Sequence, residues 1–293
     1  MNNLQQEINN KQLEIVKQLD TICNKHNIKY YANGGTLIGC YRHNGFIPHD
    51  VDMDFLMTRE NFNKFLKVVN EELISPYVFL SSYQKDFNYG FVNRIVDTST
   101  TYFCNKKHEN RCKVLGIPGG IFIDIFVFDE VPEDWDDRVE FANELNQIRI
   151  ELNKLTTEHY NNLIDGIDSS ETCKQFNEKL DDYLTLCEKY NGSGSSIVGD
   201  TTVTKFKHGA VWFKHWVEGE EIKKVKFEDI ELPVPENGRR CLDNLYPNWD
   251  KIVIDTYPKK PFVDPYNSYE KYINGELIAD YDFCINNGCW SGE

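Results

Sequence analysis

His49-Asp50-Val51-Asp52-Met53-Asp54-Phe55-Leu56-Met57 decides the reading of this chain, because from Asp52 onward acid and apolar residues alternate as they do along a strand with one buried face. Residues two apart project from the same face. The Asp52 and Asp54 carboxylates therefore start from Cα atoms roughly 7 Å apart and can converge on one ion. A hard divalent cation such as Mg²⁺, with Mn²⁺ as the alternative, takes oxygen ligands, keeps several waters and commonly binds one or two carboxylates plus substrate phosphates. Asp50 shares that face only if the alternation begins before Asp52, so its role, metal ligand or substrate positioning, stays open. An Asp-x-Asp alone is common on exposed strands and turns; its surroundings decide its meaning.

Upstream, a short β-like run, Ile28-Lys29-Tyr30-Tyr31, ends at Asn33-Gly34-Gly35, after which Thr36 to Arg42 begins a helix with Thr36 near its N-cap. A glycine turn that opens a helix offers unobstructed N–H groups and a positive dipole end to a phosphate; without that context it is an ordinary tight turn. Asn44-Gly45 marks a further turn and Pro48 an extended approach to the acids. Residues 4 to 24 repeat apolar residues at helical spacing. Downstream, Thr58 is the expected N-cap of a helix with Phe62, Phe65, Leu66, Val69 and Leu73 on its buried stripe.

Aromatic and β-branched runs at 77–80, 90–96, 100–103 and 120–128 predict further strands of the same sheet. In the last of them, Ile121, Ile123, Ile125 and Val127 share one face, and Phe122, Asp124, Phe126 and Phe128 the other. A lone carboxylate among such neighbours costs several kcal/mol unless compensated, which implies a cation or a hydrogen-bonded partner unless Asp124 sits at a strand end beside solvent. Asp124 is thus a candidate third metal ligand, or a general base for an acceptor hydroxyl. Asp129 is read as capping the turn that follows. Arg42 and Arg94 are candidates for phosphate contacts, since a guanidinium meets phosphate oxygens bidentately, with a plain ion pair as the equal alternative.

From 133 to about 191 the pattern is helical, and it ends in the loop Asn191-Gly192-Ser193-Gly194-Ser195-Ser196. Residues 225–232 read as a hairpin around an acidic turn, followed by Pro235 and a short helix to Leu245; the tail beyond Pro258 depends on packing for its order. The expected division is a catalytic core at 1–132, a helical segment at 133–195 and a completing C-terminal part at 196–293.

Composition bounds the rest. Asp and Glu number 47 against 32 Lys and Arg, a formal charge of −15, which opposes general attraction to nucleic acid or anionic lipid. An anionic ligand must then be met locally, and a bound cation supplies that reversal of sign. The N-terminus lacks the basic start and apolar run of a secretion signal and no stretch reaches membrane-span length, so a cytoplasmic protein is expected. Nine Cys, an odd number spread from Cys23 to Cys289, are expected as reduced thiols; neither Cys104 to Cys112 nor Cys284 to Cys289 is the close pair of structural zinc.

The ordered run from Tyr31 through Gly34-Gly35-Thr36-Leu37-Ile38-Gly39 and Arg42-His43-Asn44-Gly45-Phe46-Ile47-Pro48-His49-Asp50-Val51-Asp52-Met53-Asp54 resembles the LicD family, whose relatives include fukutin and fukutin-related protein. Two later segments agree: Ile123-Asp124-Ile125-Phe126-Val127-Phe128-Asp129, and Lys224 to Glu228 with Pro235 and Leu245-Tyr246. His49 stands where the family carries Trp, Val51 where it carries Asp, and Val127 where it carries Pro. The resemblance implies an α+β, nucleotidyltransferase-like mixed sheet flanked by helices, with a helical insertion and a C-terminal extension. It implies that Asp52, Asp54 and Asp124, with the glycine turn, hold metal and a nucleotide diphosphate donor. The implied reaction moves a phospho-alcohol, phosphocholine from CDP-choline or ribitol phosphate from its CDP form, onto a sugar hydroxyl of a surface glycan such as lipopolysaccharide or teichoic acid, releasing CMP. The acceptor is a glycan or lipid-linked glycan, so peripheral membrane contact is an expected accompaniment. Two other readings stand beside it: transfer of NMP from NTP on the same fold, and a non-catalytic nucleotide-binding scaffold.

Overall fold

The computed structural model describes residues 3–48, 50, 52–85, 91–204, 206, 210–252 and 261–281. His49, Val51, Gly90, Pro258 and, in the tail beyond it, residues 259–260 and 282–293, with Cys284 and Cys289, lie outside the described residues. The chain is α+β: a seven-stranded mixed sheet flanked by helices, with a C-terminal extension.

The sheet runs in the order β1 (Tyr31–Ala32), β2 (Asp54–Thr58), β6 (Ile121–Glu130), β4 (Asn93–Asp97) and β3 (Tyr77–Leu80). The far end of β6 also pairs with β7 (Ile197–Asp200), which pairs with β8 (Val211–Phe213). Among the main-sheet pairings, β2 and β6 run parallel, with Asp54 opposite Asp124, while β4 runs antiparallel to β6 with Arg94 opposite Asp124. Register alone thus brings an acid from each of two strands and an arginine from a third into one row.

Ile121, Ile123, Ile125 and Val127 are all buried, as their alternation predicts, and join a core with Phe55 and Met57 of β2. Over this face lie α1 (Asn3–Lys25), through Ile15, Leu19 and Ile22, and α3 (Arg59–Leu66), through Phe62 and Phe65. Covering one face leaves Asp54, Asp124 and Arg94 on the other, where Phe126 remains half-buried.

Local departures from expectation have physical causes. The first β run shortens to Tyr31–Ala32, because only these two residues find partners on β2. The first turn of α2 (Gly34–Arg42) begins before Thr36, capped at Asn33, because Gly34 takes the left-handed φ of 50° that lets the chain enter the helix early. Thr58 does precede α3 as its N-cap, but its hydroxyl donates to Glu218 instead of capping the helix. That helix stops at Leu66, and Val69 belongs to the separate turn α4 (Val69–Glu72). The strand expected at 100–103 forms as β5 (Thr101–Phe103), yet it pairs with β11 (Phe262–Asp264) in a ribbon apart from the main sheet.

α5 (Lys106–Leu115) follows β5, its N-cap Asn105 accepting from the His108 N–H and its end set by Gly116 at φ 65°. The helical stretch is a hairpin of α6 (Trp135–Asp165) and α7 (Ser170–Cys187) with its own core of Phe141, Leu145, Leu152, Phe176, Leu180 and Tyr183. The C-terminal part contributes α8 (Lys214–Val217), the expected hairpin β9 (Lys223–Phe227) and β10 (Ile230–Val234), α9 (Gly238–Leu245) and α10 (Tyr269–Ile273). Among the described residues no helix is long and apolar enough to cross a membrane.

Candidate active site

Asp52, Asp54 and Asp124 come together. One carboxylate oxygen from each lies within 4.8 Å of the other two. Asp54 is the first residue of β2 and Asp124 its Cα partner on β6. Asp52 is placed by the approach to the strand, since β2 begins only at Asp54; the carboxylates expected to converge from one strand face do converge, although one of them precedes the strand. Backbone bonds fix the junction: Asp124 donates its N–H to Met53 at 2.8 Å, and Asn33 donates to the Asp54 carbonyl at 2.9 Å.

Thr36 acts from inside the first turn of α2. Its hydroxyl oxygen accepts from the Asp54 N–H at 2.9 Å, tying the helix to the start of β2. Gly34 and Gly35 are needed for closeness as well as for the turn. A Cβ on Gly34 would stand 2.7 Å from an Asp54 carboxylate oxygen, and one on Gly35 would overlap the Asp50 carboxylate. Asp50 is half-buried and shares a hydrogen bond with Asp52, outside the converging three.

Burial and neighbouring charge shift the proton affinities of two of these acids. Burial above all, then the charges of Asp50 and Asp124, push the Asp52 carboxyl up from 3.8 to about 7, while Arg94 opposes the rise. Asp124 is likewise raised by burial and opposed by Arg94. The guanidinium of Arg94 donates from Nε to one Asp124 oxygen at 2.5 Å and from Nη2 to the other at 3.2 Å, and lies 3.8 Å from the Phe122 ring centroid. The lone buried carboxylate read from the sequence thus has a hydrogen-bonded partner, and one of the two expected phosphate-binding arginines stands at the site.

Arg42 is placed differently. Its Nη1 donates to the carbonyls of Trp249 and Lys251 at 2.7 and 2.8 Å, so the side chain anchors the segment after α9. Burial lowers its proton affinity, offset by Asp250 and Asp50, which keeps it within electrostatic reach of the acids. Asp129 caps no turn: it is buried and bonded bidentately to Arg59 at 2.8 and 2.7 Å. A cavity of about 500 Å³ at the other end of β2 and β6, lined by Thr58, Glu130, Lys214 and His215 among others, contains none of the candidate residues.

The donor set suits a hard divalent cation. Its ligand atoms are all carboxylate oxygens, they converge, and the cluster already draws in Arg94 and holds a proton on Asp52 near neutrality, as uncompensated negative charge does. The oxygen ligands do not choose between magnesium and manganese.

Comparison with known proteins gives the arrangement relatives. Residues 27–149 match the LicD/FKTN/FKRP nucleotidyltransferase domain. The lipopolysaccharide cholinephosphotransferase LicD of Haemophilus influenzae is 32% identical over 123 residues, covering 42% of this chain and 43% of that protein. An uncharacterized protein of Rickettsia typhi is 36% identical over 56 residues, 19% of this chain and 18% of its own length. One from Caenorhabditis elegans is 51% identical over 37 residues, 13% of this chain and 10% of its own. The chain thus spans less than half the length of the curated relatives it matches. The matched segment holds the glycine turn, Asp52, Asp54, Arg94 and Asp124 together, so the residues that build the site all lie within the stretch that is similar to the LicD/FKTN/FKRP nucleotidyltransferase domain.

Proposed function

We propose that the chain transfers a phospho-alcohol, phosphocholine from CDP-choline, onto a sugar hydroxyl of a cell-surface glycan or its lipid-linked precursor, with CMP leaving. The observation that carries this reading is the convergence of Asp52, Asp54 and Asp124 beside the Gly34-Gly35 turn, inside the segment that matches the family and its choline-transferring relative.

Asp52, Asp54 and Asp124 would hold a divalent ion, Mg²⁺ or Mn²⁺. When bound, the ion neutralises charge on the donor diphosphate and on the departing CMP. The residues of the chain do the positioning. Thr36 and the two glycines hold the first turn of α2 against the acids, where its N–H groups and positive dipole end favour a phosphate. Arg94 orients Asp124 and adds a fixed positive charge on the same face. Bringing donor and acceptor into line within such a frame supplies much of the rate enhancement of phosphoryl transfer.

A panel of CDP-alcohols with Mg²⁺, scored by released CMP, tests the proposal. CMP from CDP-choline and not from the other donors is the expected result. Equal activity from an Asp52→Ala, Asp54→Ala double variant would refute it. The nucleotidyltransferase character of the matched domain favours NMP transfer as a second reading, and pyrophosphate released from NTPs in place of CMP would select that. Metal-linked nucleotide binding without turnover would leave a scaffold.

A further inference from the structure

A second concave site lies on the same face of the sheet as the acids. Alternation puts Asp54, Leu56 and Thr58 of β2 on one side, together with Asp124, Phe126, Phe128 and Glu130 of β6, and Thr58 stands opposite Phe128 as Asp54 stands opposite Asp124. Four residues separate these two rows, about 13 Å along the strands. The cavity of about 500 Å³ sits at the second row, where β2 ends at Thr58 and β6 at Glu130. On that face the half-buried Phe126 stands between it and the acids. Its volume is that of a small-molecule site.

The lining is apolar in part and polar in both senses. Phe128, Val198 and Val217 supply buried apolar surface. Thr58 and Asn61 both donate to one Glu218 oxygen, at 2.9 and 3.2 Å, and among the described residues nothing donates to the other. Glu188 is exposed and lies 3.7 Å from Arg59, outside hydrogen-bond reach, because that guanidinium is bonded to Asp129. These two carboxylates present acceptors. Lys214 is paired with Glu130 and keeps two of its three ammonium protons, while the exposed His215 ring, which makes no side-chain hydrogen bond among the described residues, brings one donor and one acceptor. Beside it Phe213 is 40% exposed, its ring centroid 5.5 Å from that of the imidazole.

We propose that this cavity binds a saccharide through its hydroxyl groups, with sugar C–H faces against the apolar lining and the Phe213 ring. Such a mixture of donors and acceptors selects the ligand class. A simple cation uses only the carboxylates and a simple anion only Lys214 and His215, whereas a hydroxyl donates and accepts at once and so uses both. The assignment rests on the proposed function in one respect, the identification of this saccharide with units of the acceptor glycan beyond the reacting hydroxyl. An acceptor of several units then lies along one sheet face, with one unit at the acids and another in the cavity.

Maltohexaose, chitotetraose and lacto-N-neotetraose, each titrated calorimetrically into the full-length protein, serve as probes, with choline chloride and inorganic phosphate as charged controls. At least one oligosaccharide is expected to bind at millimolar concentration, and His215→Ala and Glu218→Gln should each weaken it about tenfold, as loss of a hydrogen bond to a ligand does. His215 is exposed, so its variant keeps the test open if Glu218→Gln fails to fold; an unaltered melting temperature identifies a folded protein. Mn²⁺ binding at the acids, read by electron paramagnetic resonance, should stay unchanged in both. No oligosaccharide bound by wild type, equal affinity in wild type and His215→Ala, or binding of choline or phosphate in place of the sugars overturns the site. Saccharide binding that depends on His215 without CMP release from any CDP-alcohol would preserve the site and remove the proposed reaction. Turnover of CDP-choline with the same acceptor KM in wild type and His215→Ala would do the reverse.

Discussion

Two aspartates on β6, five positions apart, each bind an arginine, and their difference separates a site from a strut. Asp129 takes two bonds from Arg59, a third from Asn191 at 2.6 Å and a fourth from Thr201 at 2.5 Å, so every lone pair has a partner within the fold. Among the described residues Asp124 accepts side-chain bonds from Arg94 and faces two further carboxylates. Alternation puts the two acids on opposite faces of the strand: Asp129 sides with the isoleucines under α1 and α3, Asp124 with the half-buried Asp54, Arg94 and Phe126. A saturated ion pair reports a structural role. One left short of partners among like charges reports a place for a ligand.

The largest contrast should come from truncating each acid in turn. Asp129→Ala leaves Arg59 buried without its carboxylate, and about 3–5 kcal/mol of stability should be lost, read by urea denaturation. Asp124→Asn keeps the shape and one of the two acceptors for Arg94 while removing a charge that repels Asp52, so its melting temperature should move little while CMP release falls about a hundredfold or more, roughly 3 kcal/mol of transition-state stabilisation. Comparable destabilisation by both substitutions would erase the distinction between strut and site.

A smaller effect is expected from Gly35→Ala, which forces a methyl group into the space of the Asp50 carboxylate. Turnover should drop about tenfold, roughly 1.4 kcal/mol, with the far-ultraviolet spectrum unchanged. Normal kinetics in that variant would show that the turn and the acids need no close approach.

The smallest expected effect is on pH dependence. Asp52 titrates near 7 in the folded protein against an ordinary 3.8, so the folded state binds a proton that the unfolded chain has released between those values. The metal-free site therefore costs stability progressively as pH rises from about 4 to about 7, and the full cost is present above 7. Mg²⁺ should accordingly raise the melting temperature more at pH 7.5 than at pH 5.5, and the difference should shrink in Asp52→Asn. An equal shift at both pH values, in a protein that binds the ion, would detach Asp52 from it. Asp129, enclosed by its own donors, should contribute no such metal dependence.

Sequence pattern made the convergence of Asp52 and Asp54 legible because alternation and a short spacing are local properties, and the glycine turn lies close to them along the chain. Asp124 was readable for a similar reason: a carboxylate in an apolar run demands an explanation wherever the strand goes. The strut was not, since Asp129 meets Arg59 across 70 residues and Asn191 across 62, and no local pattern encodes such meetings. Arg42 shows the same limit, its partners lying 207 and 209 residues on. β5 was rightly read as a strand and assigned to the wrong sheet, because strand propensity carries no information about the partner.

The α6–α7 hairpin leaves the sheet after β6 and returns at β7, and these two strands are neighbours, with Glu130 opposite Val198. The excursion thus departs and comes back at one place, as a long loop between two strands of a β-hairpin would. Nothing in the strand order requires the two helices, and a short turn could bridge the same gap. The hairpin is in that sense a graft on a finished sheet, and the row of Asp54, Asp124 and Arg94 takes its register from β2, β4 and β6 alone.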